Sequence, residues 1–241
     1  YLSGGKLDGV MNYVLRQIQL DFALGKADAR ETDEAWAQQR ENYPRENLHA
    51  MMNLLGSHDV ERLRTILEEA LPAPAARRME GLLRAWQMTL PGAPAVYYGD
   101  EAGLTGHKDP ENRRTFPWGR EDKELQACCR ALIRLRRAHA ALETGRFDTV
   151  YAAGDVYIYA RFLEGGRDVF GKAAEDGVFL TALNRSGRAQ TVSADTRGLA
   201  YGRLVPLWDS VRAFGPVEAE AAETGAAEPG TQAGPAAVEP V

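Results

Sequence analysis

Residues 51–59 read MMNLLGSHD, an apolar run that stops abruptly at a glycine followed by three polar residues. A buried parallel strand is apolar along its length because helices cover both of its faces, and its carboxyl end faces the ligand side of the sheet. The run over residues 51–55 therefore predicts such a strand, with His58 and Asp59 at the end where functional sites lie.

Two more runs of this kind flank the first. Residues 7–13 (LDGVMNY) predict an earlier strand, and residues 95–98 predict a later strand that ends at Gly99-Asp100-Glu101. Apolar residues recur at helical spacing in the segments between and after the strands, over residues 15–24, 33–40, 75–89 and 125–141. We expect Gly25 to end the first helix and Thr32 or Asp33 to cap the second. Three strand–helix alternations predict a parallel sheet.

The pattern changes after residue 141. Short β-rich runs follow with turn residues between them and no helical pattern, at residues 146–152, 156–162, 178–184 and 189–192. They predict a small antiparallel β-sandwich domain over residues 142–217, whose strand faces bury one another. Residues 218–241 are rich in Ala, Gly, Glu, Pro and Thr and contain almost no large apolar side chain, so we expect a disordered tail.

Composition narrows the choice of partners. The chain is 44% hydrophobic and 26% charged with a net charge of -5, which is typical of a globular protein and unfavourable for nucleic-acid binding. No apolar stretch approaches the roughly 18 residues that span a membrane. Cys128 and Cys129 are adjacent, which does not suit a disulfide, and the four histidines lack zinc-site spacing. We therefore expect no cofactor or metal and disfavour a metal-dependent hydrolase.

Four segments in order resemble one family. Residues 53–62 (NLLGSHDVER) resemble the part of the α-amylase family in which a strand ends in a His-Asp pair, and residues 90–101 resemble the next barrel strand and its loop. Residues 109–114 (DPENRR) with Trp118, and residues 7–13, resemble the neopullulanase and cyclomaltodextrinase branch. The resemblance covers about the first 215 residues, and the order of the four segments makes chance a poor explanation.

This resemblance implies an α/β fold, a (β/α)₈ TIM barrel followed by a C-terminal β domain. Such barrels take ~250 residues, or about 30 per unit, so residues 1–141 are expected to hold only the last three βα units of a partial barrel. The family's nucleophilic Asp and acid/base Glu follow strands four and five, and we identify neither motif as a strand-end signature in this chain. The first residue is not Met, so the chain is expected to be a C-terminal fragment, and a cytoplasmic location is the working expectation.

The resemblance also assigns the site residues. Asp59 is expected to be catalytic as a transition-state stabiliser that grips hydroxyls of the distorted sugar, and His58 to bind the same sugar. Asp109 and Arg113 are expected to bind substrate at a neighbouring subsite. The structural alternatives are a helix-capping Asp59 and a surface ion pair between Asp109 and Arg113. Other polar and aromatic residues at strand ends are expected to support or pack the barrel, with sugar stacking open for the last two: Asn12, Tyr13, Asp100, Glu101, Tyr97, Tyr98 and Trp118.

The resemblance therefore implies part of a retaining α-glucan hydrolase. Retaining enzymes need two carboxyl groups about 5 Å apart, so the chain alone is expected to be inactive. The expected partner is an α-glucan oligosaccharide such as maltodextrin, cyclomaltodextrin or pullulan, with no nucleic acid and no membrane, and an undetermined oligomeric state. Two alternatives stay open: a non-catalytic carbohydrate-binding or scaffold module, and another activity of the family, which is trehalose-forming, isomerising or branching.

Overall fold

The computed structural model describes residues 2, 6–199, 201, 203–214 and 237–238. Its α-helices within these residues are α1 (Tyr13–Ala23), α2 (Ala29–Glu41), α3 (Arg45–Ala50), α4 (Leu63–Ala70), α5 (Ala73–Thr89), α6 (Lys123–Ala138), α7 (Ala140–Thr144) and α8 (Ser210–Phe214). Its strands are β1 (Met52–Leu54), β2 (Ala93–Ala95), β3 (Arg146–Ala153), β4 (Val156–Leu163), β5 (Gly177–Asn184), β6 (Gln190–Thr191) and β7 (Ala237–Val238). Two 3₁₀ turns lie at Asp100–Ala102 and Glu111–Arg113. None of the helices in this part of the chain has the length and apolarity needed to cross a bilayer.

Three parallel stretches form the sheet that the sequence predicts. β1 pairs with β2 in parallel, with Met52 opposite Ala93 and Leu54 opposite Ala95. On its other side β1 meets Met11 through a parallel bridge, and the Asn12 N–H donates to the carbonyl of Met52 at 2.9 Å. The first stretch is shorter than predicted because Tyr13 already begins α1, where the Asn12 side chain accepts from the Leu15 N–H.

Two of the helix and strand predictions are wrong in detail. The cap of α2 is Asp28, which forms a capping box with Glu31, and neither Thr32 nor Asp33 caps it. The β2 ladder lies at Ala93–Ala95 and not at residues 95–98, because the chain leaves the sheet before Tyr97 and turns at Gly99, where φ is +85°. Gly25 follows the first helix with φ +71°, as expected of a helix-ending glycine.

The antiparallel sheet that follows has the order β3-β4-β5, which confirms the antiparallel character predicted for this part. Every residue of the central strand β4 is buried. One face of β4 carries Tyr157 and Tyr159, which belong to the same hydrophobic cluster as the helices, and the opposite face carries Val156 and Ile158 with Val192 against them. β6 pairs with β7, and the rest of the predicted tail, residues 218–241, lies outside the described residues.

A single aromatic core joins the helices to this sheet. Trp86 of α5 makes edge-to-face contacts with Phe22 at 5.5 Å and with Tyr157 at 5.8 Å between ring centroids. Arg161 of β4 is fully buried and donates to the carbonyls of Thr89 at 2.6 Å and Leu142 at 2.9 Å. The division at residues 141 and 142 falls inside α7 and stays a prediction.

A carboxylate of α2 ties this helix to the antiparallel sheet. Asp33 accepts hydrogen bonds from the Thr149 hydroxyl at 2.5 Å and from the Tyr157 hydroxyl at 2.8 Å. Replacing Asp33 by alanine leaves the buried Tyr157 hydroxyl without its acceptor, and we expect the free energy of unfolding to fall by about 1–3 kcal/mol. Urea denaturation measures this loss. The matched control is Glu34→Ala, an exposed neighbour on the same helix, and an equal loss in both variants would contradict the role of Asp33.

Candidate active site

The predicted site lies where the first two parallel stretches end. Tyr13, at the start of α1, places its hydroxyl 2.8 Å from the Ser57 hydroxyl and 3.3 Å from Asp59 Oδ2. The backbone N–H of Asp59 donates to the Ser57 hydroxyl at 3.1 Å. Because parallel strands end at the same edge, residues 44 and 46 positions apart in sequence meet here. Tyr13 is thus part of the site and more than the packing residue that its sequence position predicts.

The side chains of His58 and Asp59 are open to a ligand. His58 Nε2 lies 3.1 Å from Asp59 Oδ1, and the two side chains are 51% and 54% exposed. Asp59 is not a helix cap: α4 begins at Leu63 after Arg62, and no side chain caps it. The carboxylate is therefore free to accept hydrogen bonds from a ligand's hydroxyl groups while Tyr13 holds one of its oxygens.

The backbone around Asp59 is held from the loop that follows β2. Asn112 Nδ2 donates to the carbonyls of His58 at 2.9 Å and Val60 at 3.0 Å. Arg62 is fully buried, and its Nε donates to the Asn112 carbonyl at 2.9 Å. Arg62 also stacks on Tyr97, with the guanidinium carbon 4.1 Å from the ring centroid. The residue therefore links the His58–Asp59 turn to the end of β2 and to the loop beyond it.

A network of buried ion pairs lies behind the backbone of the His58–Asp59 turn, on the side of the protein interior. Asp100 is 1% exposed and lies between Arg62 Nη1 at 2.9 Å and Arg84 Nη2 at 3.3 Å. A side chain at Gly56 would overlap the Asp100 carboxylate, which explains the glycine that precedes Ser57. Asp100 at the end of a strand thus supports the site from within the protein and does not face the ligand side.

The network continues outward through α5 to the start of α6. Arg84 lies near Glu80, Glu80 binds Arg64 Nε at 2.7 Å, and Arg64 reaches Asp122 at 3.2 Å. Arg77 binds Asp122 at 2.5 Å, and Asp122 also caps α6 by accepting from the Leu125 N–H at 3.0 Å. Burial acts to raise the pKa of Asp122, but the hydrogen bonds from Arg77, Leu125 and Arg64 outweigh it and hold the pKa well below its usual range.

The depressed pKa of Asp122 predicts an acid-sensitive part of the stability. A carboxyl group whose pKa is lower in the folded state stabilises the folded protein at pH values above its unfolded pKa of about 3.9. This contribution to the free energy of unfolding is lost as the pH falls toward the pKa of the folded state. We expect Asp122→Asn to cost about 2 kcal/mol at pH 7, because a charged hydrogen-bond acceptor is lost, and the difference from wild type to shrink below about pH 4. Chemical denaturation from pH 7 to pH 2 measures it. Asn keeps the helix cap, and Asp28→Asn, at the cap of α2, is the control. A difference that is constant with pH would contradict the prediction.

Asp109 and Arg113 form the surface ion pair that was the structural alternative for them. Arg113 Nε lies 3.6 Å from Asp109 Oδ1, and both side chains are about half exposed or more. Burial and the neighbouring Tyr98 hydroxyl raise the pKa of Tyr97. The Tyr98 hydroxyl donates to the Arg114 carbonyl at 2.9 Å, so this loop contacts the segment that follows β2. Trp118 is 80% exposed, and its ring lies tilted against that of Phe116, at 4.5 Å between centroids.

A comparison with protein-family models gives a match over residues 1–141, to the family described as alpha amylase, catalytic domain. The chain belongs to the α-amylase family. The match covers more than half of the chain and contains every site residue discussed above. The three parallel stretches are thus part of the (β/α)₈ barrel of α-amylase family enzymes, as the four sequence segments predict.

Individual relatives and solved structures agree with this family assignment. The chain is 40% identical over 216 residues to an amylopullulanase of Thermoanaerobacter thermohydrosulfuricus, and 41% identical over 150 residues to a cyclomaltodextrinase of a Bacillus species. These alignments cover 81% and 61% of the chain but only 14% and 26% of the relatives. A crystal structure of the Nostoc punctiforme debranching enzyme, soaked with acarbose, matches with a TM-score of 0.73 at 30% identity, over 86% of this chain and 44% of that one. The chain thus spans less than half the length of these proteins.

Proposed function

We propose that this chain provides the Asp59 side of the sugar-binding cleft in a retaining α-glucan hydrolase. The observation that carries the proposal is the His58–Asp59 pair, which is half exposed at the carboxyl edge of the parallel strands while its backbone is held by buried groups. A fixed backbone with a half-exposed carboxylate, whose oxygens keep lone pairs besides those that face Tyr13 and His58, suits hydrogen bonding to neighbouring sugar hydroxyls. The substrate class is an α-glucan oligosaccharide such as maltodextrin, cyclomaltodextrin or pullulan, and the proposed setting is the cytoplasm.

Each site residue has a role in this proposal. The Asp59 carboxylate accepts hydrogen bonds from two hydroxyls of the ring whose glycosidic bond breaks, and its charge stabilises the oxocarbenium-like transition state. His58 donates from its imidazole to the same ring. Arg113 donates to hydroxyls of a neighbouring ring, with Asp109 holding its guanidinium, as their 3.6 Å ion pair allows. The nucleophilic and acid/base carboxyl groups come from barrel strands outside this chain.

The proposed bond is the α-1,4-glucosidic bond, with the α-1,6 bond as a second candidate. The second candidate is supported by two names among the relatives, an amylopullulanase and a debranching enzyme, both of which match over more than four fifths of this chain. A pair of substrates separates the two candidates, since maltotetraose contains only α-1,4 bonds and panose adds an α-1,6 bond.

The decisive experiment adds the missing part of the barrel. The chain alone, incubated with a chromogenic maltoside, is expected to bind the sugar and release no chromophore. Joined to the first five strand–helix units of the cyclomaltodextrinase relative, it is expected to release chromophore at a rate typical of enzymes. Turnover by the chain alone would overturn the assignment of the two reacting carboxyl groups to other strands. Sugar binding without turnover in the joined protein would instead support a non-catalytic carbohydrate-binding module.

A further inference from the structure

One buried amide donates hydrogen bonds to the backbone on both sides of Asp59. Asn112 is 1% exposed, and its Nδ2 atom donates one hydrogen bond to the carbonyl before Asp59 and one to the carbonyl after it, at 2.9 and 3.0 Å. The two acceptors, His58 and Val60, are more than 50 positions away in sequence. The His58 carbonyl belongs to the peptide group that leads into Asp59, and the Val60 carbonyl belongs to the peptide group one residue beyond it. A residue outside the strand of Asp59 therefore restrains the backbone on both sides of it.

Residues of the turn that carries Asp59 also donate hydrogen bonds to the loop that carries Asn112. The Arg62 N–H donates to the Gly106 carbonyl at 3.0 Å, and Arg62 Nε donates to the Asn112 carbonyl at 2.9 Å. The Gly106 N–H donates in turn to the Thr65 hydroxyl at 2.7 Å. A side chain on Gly106 would overlap the Glu111 carbonyl, so the loop approaches as closely as its backbone permits. Loop 106–113 and turn 58–62 are therefore one hydrogen-bonded unit.

One 3₁₀ turn carries both Asn112, which contacts the His58–Asp59 turn, and Arg113, which pairs with Asp109. Within Glu111–Arg113, the Asn112 side chain is buried against the turn that carries Asp59, while the adjacent Arg113 side chain is about half exposed beside Asp109. Asn112 directly precedes Arg113 in this short turn. The loop that carries Asp109 and Arg113 is thus hydrogen-bonded to the turn that carries Asp59.

We propose that Asn112 is a positioning residue: it holds the backbone on both sides of Asp59 against loop 106–113, so that the Asp59 carboxylate is in place for sugar binding. This proposal rests on the function proposed above. The chemistry requires a neutral side chain with two N–H donors on one atom, because both acceptors are carbonyl oxygens. A carboxylate of the same shape would place lone pairs against these two oxygens and repel them. Asn112 touches no reacting group in this arrangement and acts only through the backbone of residues 58–60.

The test is an isosteric substitution with a matched control. Asn112→Asp replaces the donor by a carboxylate without changing the size of the side chain. The control is Asn47→Asp, because Asn47 is also buried and its Nδ2 also donates to two carbonyls, those of Leu7 at 3.2 Å and Asp8 at 2.8 Å. Leu7 and Asp8 lie before the first parallel stretch, away from the edge that carries Asp59. Should Asn112→Asp fail to fold, Asn112→Ser keeps one donor and is expected to show an intermediate effect.

Two readouts on the 241-residue chain decide the outcome. Calorimetric titration with maltotetraose is expected to show about tenfold weaker binding in Asn112→Asp, because loss of the hydrogen bonds from Asn112 typically changes an equilibrium by about this factor. In Asn47→Asp the affinity is expected to change by less than about threefold. Hydrogen exchange of the Asp59 amide, followed by NMR, is expected to become faster by about the same factor in Asn112→Asp alone, with global unfolding measured separately.

The possible results separate this proposal from the function on which it rests. Unchanged binding and unchanged Asp59 exchange in Asn112→Asp would overturn the positioning role, and so would equal losses in the two Asp variants. If the wild-type chain does not bind maltotetraose, the proposed function fails for this chain. The exchange rate of the Asp59 amide then still decides the positioning role: faster exchange in Asn112→Asp but not in Asn47→Asp supports it.

Discussion

Replacing Asp100 by alanine is expected to lower the free energy of unfolding by about 3–5 kcal/mol. The carboxylate is 1% exposed and lies between the fully buried guanidinium groups of Arg62 and Arg84, at 2.9 and 3.3 Å. Removing it leaves two positive charges in a region of low dielectric without the acid they share. Because a domain of this kind is stable by only about 5–15 kcal/mol, the loss is a large fraction of the total.

Equilibrium denaturation in urea, with secondary structure as the probe, measures this effect. The control is Glu164→Ala, which removes a carboxylate that binds Arg146 at 3.0 Å while both side chains are more than half exposed. Exposed ion pairs of this kind are worth about 0–1 kcal/mol. If the two variants lose the same stability, the Arg62–Asp100–Arg84 cluster stabilises no more than a surface pair does.

Replacing Asp59 by asparagine is expected to lower kcat by about 10²–10³ in the protein whose barrel has been completed as described above, with little change in KM. Asparagine keeps the size of the side chain and one carbonyl oxygen, so the ground-state contacts to sugar hydroxyls are largely retained. It loses the negative charge that, in the proposed function, stabilises the oxocarbenium-like transition state. The effect corresponds to about 2.7–4 kcal/mol of transition-state stabilisation.

Initial rates on maltotetraose over a range of concentrations separate kcat from KM. The control is Asp148→Asn, the same chemical change at an exposed position on β3. It is expected to leave both constants within about twofold, which is the behaviour of a residue that makes no transition-state contact. A fall in kcat of less than about threefold in Asp59→Asn would show that its charge does not act on the transition state.

The parallel strands could be predicted because their signal is local. The run MMNLLGSHD places β1 and the His58–Asp59 turn correctly, since an apolar strand that ends in polar residues has one natural orientation in a barrel. The exact ladder of the next strand could not be predicted. Ala93–Ala95 and residues 96–98 are both apolar, so the pattern does not distinguish them. In the folded chain Tyr97 and Tyr98 instead lie against Arg62, a residue from another part of the sequence.

The start of α2 was missed although its capping contact is local. Asp33 is a residue type that often caps helices, but the capping box is formed earlier in the chain by Asp28 and Glu31. The Asp33 carboxylate instead accepts hydrogen bonds from the hydroxyls of Thr149 and Tyr157. The helix α4 has no side-chain cap at Arg62, so its start carries no capping signal in the sequence.

In the site, the exposed members could be predicted and their supports could not. His58, Asp59, Asp109 and Arg113 stand in motifs that a reader of the sequence can find. Their roles in sugar binding stay proposals. Tyr13 and Asn112 reach Asp59 and its flanking carbonyls across 46 to 54 positions of sequence, and only the folded chain brings them together. The sequence shows an asparagine within the DPENRR motif, but its burial is visible only in the structure.

The fully buried Arg161 has a consequence for how this protein could be recombined with its relatives. The Arg161 guanidinium, which β4 supplies, donates to the carbonyls of Thr89, the last residue of α5, and of Leu142 within α7. A different sheet joined after α7 would leave these two buried carbonyls without their donor unless it brought a long cation to the same place. Exchange of the C-terminal sheet in this chain therefore requires a sheet that supplies such a cation.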